Sequence, residues 1–394
     1  MIALHSIDDT KAYTRGTHRA VPPRQTWQNV RPFLSGFGIS RVADITGLDT
    51  VGIPVFVAIR PRARSLSVSQ GKGITPILAR VSAVMESIEL WHAERPPEAA
   101  FRAPADSAAG LTYELDDLHL APHSLAARDV RIDWLQGIGV LSGLTVPVPR
   151  DYVNLCLVWR RAWTPPVFFP SSNGLASGNT HVEAVLHGLY EVVERDCLYR
   201  LYRMAPEERV MVDKASIVDP DCADLLTLLR RSDNQVVVFD ATSTITVPCY
   251  AVLIRSGELP LWFAGYGCHL DPGVALARAL TEAAQDRLAV INGARDDLDS
   301  KIYRLQMDLA RDGSRAEATP GMLGTYRRRG EATGSLSGDL AIVVDRVTSK
   351  TGIEPLAVNL THPAIGIPVV KVVAPGLRAA IRREIPSASG ASRY

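Results

Sequence analysis

Thr180-His-Val-Glu-Ala-Val-Leu-His-Gly-Leu-Tyr-Glu-Val-Val-Glu-Arg-Asp196 is apolar around most of a helical circumference and acidic along one line. Glu183, His187, Glu191 and Glu194 follow one another at i, i+4, i+8 and i+11, so at about 100° per residue they share one side within roughly 80°. Val185, Leu186, Leu189, Val192 and Val193 fill the remaining positions. The wet face of an amphipathic helix would give such a pattern, and Thr180-x-x-Glu183 alone reads as a capping box. Two further helices repeat it. Ser82, Glu86 and Glu89 form a stripe among Val84, Met85, Ile88 and Trp91, and Arg278, Glu282 and Gln285 form another among Leu276, Ala279, Leu280 and Ala283. Repetition on three mostly apolar helices suggests stripes that converge on one pocket.

Magnitudes restrict what such a pocket holds. Two carboxylates about 4 Å apart repel by roughly 4 kcal/mol at an effective dielectric near 20. Converging glutamates must therefore be protonated or neutralised. Hard divalent cations take oxygen ligands, and Mg²⁺ is commonly shared between carboxylates and phosphates. A site for Mg²⁺ and a nucleoside triphosphate fits. His187 reads more simply as a hydrogen-bonded core histidine than as a metal ligand. Ser171-Ser-Asn-Gly-Leu-Ala-Ser-Gly-Asn-Thr180, just before the second helix, is either a glycine-containing cap or a close backbone approach to an anion at a helix N-terminus.

The rest of the 394-residue chain sets limits. With 43 Lys+Arg against 42 Asp+Glu the net charge is +1, which argues against a partner held by bulk charge, whether nucleic acid or anionic lipid. The hydrophobic content of 46% suits a folded protein. No apolar run reaches membrane-spanning length, and Met1 to Arg19 lacks the apolar core of a signal peptide, so a cytoplasmic location is expected. The scattered Cys156, Cys197, Cys222, Cys249 and Cys268 offer no C-x-x-C pair and read as inert thiols. Gly71-Lys72-Gly73 is not a Walker A loop, Gly137 to Gly143 misses the dinucleotide fingerprint, and neither G-x-S-x-G nor H-E-x-x-H occurs.

Strand-like runs are expected at 52–59, 235–242, 247–255, 259–267, 340–347 and 367–374. Helices are expected at about 75–95, 180–203, 222–231, 272–292 and 298–310, the fourth opened by Asp271 and Pro272. Their irregular alternation predicts a mixed α/β fold. Residues 1–394 read as a single domain, with 312–339 a long mobile loop and 378–394 a flexible tail.

Taken together, several ordered motifs resemble the YcaO proteins. They are Thr46-Gly-Leu-Asp-Thr-Val-Gly-Ile-Pro54, Gly71-Lys-Gly with Ser82-x3-Glu86-x2-Glu89, Asn173-Gly-Leu-Ala-Ser-Gly-Asn179 with Glu183, Glu191 and Glu194-Arg195-Asp196, Glu282-x2-Gln285-x-Arg287, Ala294-Arg-Asp-Asp297, and Ile367-Pro-Val-Val with Ala374-Pro-Gly-Leu377. The resemblance implies mixed sheets flanked by helices that converge on an ATP and Mg²⁺ site, and ATP-dependent activation of a peptide backbone amide. It places metal ligands at Glu86, Glu89, Glu183, Glu191 and Glu194, with Glu86, Glu191 and Arg195 closest to catalysis. Ser82, Asn179, Arg195, Arg278 and Gln285 fall around the nucleotide, and Lys11, Arg15 and Arg19 toward its phosphates, unless they form a solvated basic arm. Leu90 stands where the family usually has Arg, with Arg80 a candidate substitute, and Ala176 where it often has Ser.

The product class is read from resemblance as well. Lys11-Ala-Tyr-Thr-Arg-Gly-Thr-His-Arg19 and Ser65-Leu-Ser-Val-Ser-Gln-Gly-Lys72 look like the subgroup encoded with TfuA partners. That subgroup implies a thioamide formed on a ribosomally made precursor peptide, sulfur arriving with a TfuA-like protein. Azoline-forming cyclodehydration and amidine formation are the alternatives, as is a non-catalytic scaffold. A homodimer is left open.

Overall fold

The computed structural model describes residues 9–122, 124, 126–157, 167–298, 301–304, 321–327 and 329–379. Three helices organise it, each started by a side chain that accepts a free backbone N–H. Thr75 caps α2 (Pro76–Ala93), Thr180 caps α4 (His181–Arg203), and Asp271 caps α6 (Pro272–Asn292). Pro at the first turn of α2 and α6 costs no hydrogen bond there. The shorter α1 (Pro23–Val30), α3 (Arg150–Val153), α5 (Pro220–Arg231) and α7 (Leu336–Thr351) complete the labelled helices.

Each principal helix lies on a sheet. An antiparallel three-stranded sheet joins β1 (Arg41–Asp44), β2 (Val55–Ile59) and β3 (Val68–Lys72). Helix α2 packs on it so closely that a Cβ at Gly71 would sit 2.0 Å from the Ala83 backbone nitrogen. The second sheet, β4 (Phe101–Pro104), β5 (Arg131–Gly139), β6 (Thr145–Pro149), β7 (Leu175–Ser177), β13 (Leu356–Asn359) and β14 (Val369–Val373), is antiparallel and supports α4. The third contains β8 (Val210–Val212), β9 (Gln235–Asp240), β10 (Cys249–Arg255), β11 (Phe263–Cys268) and β12 (Met322–Gly324). Helix α6 seats on β11, where Gly265 would bring a Cβ within 2.1 Å of the Ala279 carbonyl oxygen.

Two buried ion pairs tie loops to this frame. Arg60 makes a bidentate pair with Glu94 at 2.7 and 2.6 Å, and Arg287 one with Asp49 at 2.8 and 3.1 Å. Asp49 and Arg287 are thus structural members of their motifs. Arg295 pairs with Asp297 at 2.8 and 2.7 Å while Asp296 accepts the Ser67 N–H, so the Ala294–Asp297 motif docks beside the first sheet.

The mixed α/β class and the expected helices at 75–95, 180–203, 222–231 and 272–292 match the structure within a few residues. The run 340–347 does not. It belongs to α7, because Leu336, Leu340, Val343, Val344 and Val347 are buried at helical spacing and packing outweighs the strand preference of valine. Of the expected helix 298–310, residues 301–304 are helical and 305–310 lie outside the described residues. Of the expected loop 312–339, residues 312–320 lie outside them too, while 321–339 includes β12 and the first turn of α7. In the expected tail 378–394, the Arg378 N–H donates to Asp196, and 380–394 lie outside the described residues. Cys156 is half-buried and the other cysteines are buried, all as free thiols.

Gly71→Ala should lower stability by about 3 kcal/mol, since the new methyl meets helix backbone that must move as a unit. Urea unfolding measures this; a loss below about 0.5 kcal/mol, the range of an indifferent site, would contradict the close packing of α2.

Candidate active site

The polar stripes of α2, α4 and α6 meet around a cavity of about 610 Å³. Glu86 and Glu89 enter from α2, Glu183, Glu191 and Glu194 from α4, and Glu282 from α6. Chain contacts hold several of them in place. The Gln70 N–H donates to Glu86 at 3.0 Å, and Ser177 donates to Glu89 through its N–H at 2.8 Å and its hydroxyl at 2.6 Å. Glu183 accepts from the Ala20 N–H, the Asn179 side chain and the Asn179 N–H, with Arg19 at 3.6 Å. A metal on Glu183 would have to share those oxygens. Arg195 lies 3.8 Å from Glu191 and 3.9 Å from Glu194, and Lys72 pairs with Glu282 at 2.5 Å.

The acids are strained electrostatically. Burial raises Glu89 to about 8, aided by Glu86 and Glu191, although the Ser177 hydrogen bonds oppose it. Burial raises Glu194 to about 7 against the pull of Arg195. Glu86 and Glu191 are also pushed up by burial, against Arg295 and Arg195 respectively. Burial disfavours the Arg195 charge, yet Glu194, Glu191 and Glu282 together hold its pKa above the ordinary value. His187 is driven well below the usual imidazole range by burial and by Arg19, Arg278 and Lys72. Its Nε2 faces Arg278 Nη2 at 3.3 Å, so it is a neutral wall residue.

This donor set fits Mg²⁺ and a triphosphate. Desolvated carboxylates crowd where a hard cation would neutralise them, and Arg19, Lys72, Arg278 and Arg295 line the same cavity to meet phosphate charge. The N-terminus of α4 adds a favourable dipole. Buried Gln285 Oε1 and Asn173 Oδ1 have no hydrogen-bond partner among the described residues, as ligand-facing groups would.

Ser82, Asn179, Arg195, Arg278, Gln285 and Arg19 line the cavity with the glutamates. Lys11 and Arg15 do not, which corrects their expected phosphate contacts. Lys11 is buried against Asp339 at 2.6 Å and the Thr333 carbonyl at 2.6 Å, and Arg15 pairs with Asp221 at the surface. The N-terminal segment is thus a wall whose inward cation is Arg19. Arg80 is no substitute for a cation at position 90, because it stacks over Trp27 and Phe56 while Leu90 faces the cavity. Arg295, close enough to Glu86 to affect its charge, supplies one from another motif.

Glu282, Lys72 and Arg295, which line the cavity, were missing from the expected ligand set, and so was Lys371, which lies outside the lining but bonds Ser171 on it. The first three stood inside motifs read from the sequence; Lys371 sat unremarked in a strand. It donates to the Ser171 carbonyl, and burial lowers its pKa to about 8 against the opposing charge of Glu191.

The YcaO cyclodehydratase family, described as ATP- and Mg²⁺-binding, matches residues 70–378. The chain belongs to the YcaO family. An uncharacterized protein of Mycobacterium tuberculosis H37Rv is 40% identical over 379 residues, covering 95% of this chain and 86% of that protein. One encoded in the tfuA 3′ region of Rhizobium leguminosarum bv. trifolii is 37% identical over 380 residues, covering 91% and 88%. The YcaO of Methanopyrus kandleri bound with AMPPCP and Mg²⁺ superposes with a TM-score of 0.73 at 25% identity over 96% of this chain and 99% of that one. A heterocyclase in complex with substrate and cofactor gives 0.73 and 25% over 92% of this chain, which spans 53% of the heterocyclase. This is an ATP- and Mg²⁺-dependent enzyme family, and the fold expected from the resemblance is the one observed. No helix among the described residues is long and apolar enough to cross a membrane.

If these raised carboxyls take Mg²⁺, which they would do only when charged, binding must release protons. Mg²⁺-nucleotide affinity should therefore rise as pH increases through about 7 to about 8, the range set by Glu194 and Glu89. Calorimetry in buffers of different ionisation enthalpy checks it; affinity flat across that range, with no proton release, would contradict the assignment.

Proposed function

We propose that this protein uses ATP to phosphorylate the oxygen of a backbone amide in a ribosomally made precursor peptide. A nucleophile then attacks the amide carbon and the original oxygen leaves with phosphate. The reading rests on one observation: the buried acids of α2, α4 and α6 meet basic side chains in a single cavity. Mg²⁺ would supply charge neutralisation along the triphosphate. Glu86, Glu89, Glu191 and Glu194, with Glu282 and a shared Glu183, are the ligands available to it. Ser82, Asn179, Arg278 and Gln285 surround the nucleotide, while Arg195 favours the ionised form of Glu191 and Glu194 against their burial and Arg19 faces the phosphates. No protein nucleophile is required, since phosphoryl transfer is governed by positioning and electrostatics.

The favoured product is a thioamide, with sulfide-derived sulfur delivered by a TfuA-like partner. Support comes from the Rhizobium relative encoded beside tfuA and from the sequence around Lys11–Arg19 and Ser65–Lys72. Azoline formation is the second reading, favoured by the likeness to a heterocyclase. A scaffold without catalysis is the third; Leu90 favours it, whereas Arg295 on the cavity wall weighs against it.

Glu191→Gln should abolish peptide-dependent phosphate release while leaving Tm within a few degrees. Unfolding of that variant, or undiminished turnover, would contradict a catalytic Glu191. Mass spectrometry on a precursor peptide encoded near the gene distinguishes products, a gain of about 16 units marking thioamidation and a loss of about 18 cyclodehydration. An unchanged mass, with no phosphate released, would favour the scaffold.

A further inference from the structure

Gln70 lies on the cavity wall, 2% exposed, and among the described residues neither its Oε1 nor its Nε2 has a hydrogen-bond partner. Its surroundings follow from strand geometry. Side chains alternate along β3, and Gly71 points at α2, against Ala79 and Ala83. Val68, Gln70 and Lys72 therefore face the other way. Val68 clusters with Leu288 and Lys72 pairs with Glu282, which places Gln70 level with Gln285 on α6. Gln285 Oε1 is likewise buried without a partner, so the two amides do not satisfy each other.

A buried amide left unpaired is destabilising, and natural folds rarely keep one away from a functional site. Gln70 is also held firmly, because its own N–H donates to Glu86. A fixed amide presents one donor and one acceptor side by side, matching an edge that offers an acceptor beside a donor. One residue of an extended peptide does this with its C=O and N–H, as paired residues do in an antiparallel ladder. The N1/N6 edge of adenine does so too. The surroundings favour the peptide: Glu86, the Lys72–Glu282 pair and Arg295 make this the metal and phosphate end of the cavity, not the end for a base.

We propose that Gln70 is a substrate-positioning residue whose side-chain amide pairs with the backbone C=O and N–H of the peptide beside the amide to be activated. The proposal rests on the function given above and adds a recognition element that reads backbone, not side chain. Such an element would leave peptide side-chain identity to other parts of the cavity.

Gln70→Met replaces the amide with an apolar chain of similar length. The probes are acetyl-hexaglycine amide, followed by saturation-transfer NMR on enzyme loaded with Mg²⁺ and AMPPCP, and AMPPCP itself by calorimetry. Expected are a Tm equal to or above that of the wild type, unchanged AMPPCP affinity, and peptide affinity weaker by about tenfold to a hundredfold. Acetyl-hexasarcosine amide, in which every residue N–H is replaced by N-methyl, should bind both proteins equally poorly. Unchanged hexaglycine affinity in the variant, or no hexaglycine binding by the wild type, would overturn the proposal. A loss confined to AMPPCP, with discrimination between MgATP and MgGTP weakened, would assign Gln70 to the base instead. A fall in Tm accompanied by loss of both ligands would make it structural. None of these outcomes depends on the Glu191→Gln turnover test, so the chemistry and the recognition fail separately.

Discussion

Desolvation of carboxylates crowded on three helices, with their mutual repulsion added, is the constraint around which this structure is arranged. Acids on three helices face one cavity, and burial there favours their protonated forms in the absence of a compensating cation. They are fixed because their helices are. Gly71 and Gly265 let α2 and α6 press onto their sheets at backbone contact, and Thr75, Thr180 and Asp271 fix where each helix begins. The cations then enter from elsewhere: Arg19 from the N-terminal segment, Lys72 from a strand end, Arg195 from α4 itself and Arg295 from the loop after α6. Such an assembly is poised for a ligand that carries its own positive charge in and is itself polyanionic.

The principal helices were legible because caps and apolar periodicity agreed, the condition under which sequence patterns are dependable. Their stripes were legible too, since a carboxylate on an otherwise apolar helix has few places to go. Helix α7 was not, because Val343, Val344 and Val347 resemble a strand locally and only packing on α4 shows the helical face. Strands β4 to β7, short apart from the nine-residue β5, gave little periodic signal, and β5 and β7 pair with β13 and β14 far along the chain.

Charged residues near the N-terminus show the limit most clearly. Nothing local distinguishes Lys11 from Arg19, yet one is buried against Asp339, 328 residues away, and the other faces the cavity. Spacing alone does not specify a pairing over that distance. The same holds for Arg80, whose place between Trp27 and Phe56 follows from the packing of α1 on α2. Conversely, the acids, Lys72 and Arg295 share short motifs with the glycines and loop anchors that set them. There the sequence order and the three-dimensional order coincide.

The clasp between Lys11 and Asp339 bears on how the protein is made. Arg19 and the Ala20 N–H reach Glu183 from a segment that α7 secures through the Asp9 and Lys11 contacts. During synthesis the helix carrying Glu183 leaves the ribosome long before Asp339 does. The anchor that α7 gives to the N-terminal segment is therefore among the later contacts the chain is able to make.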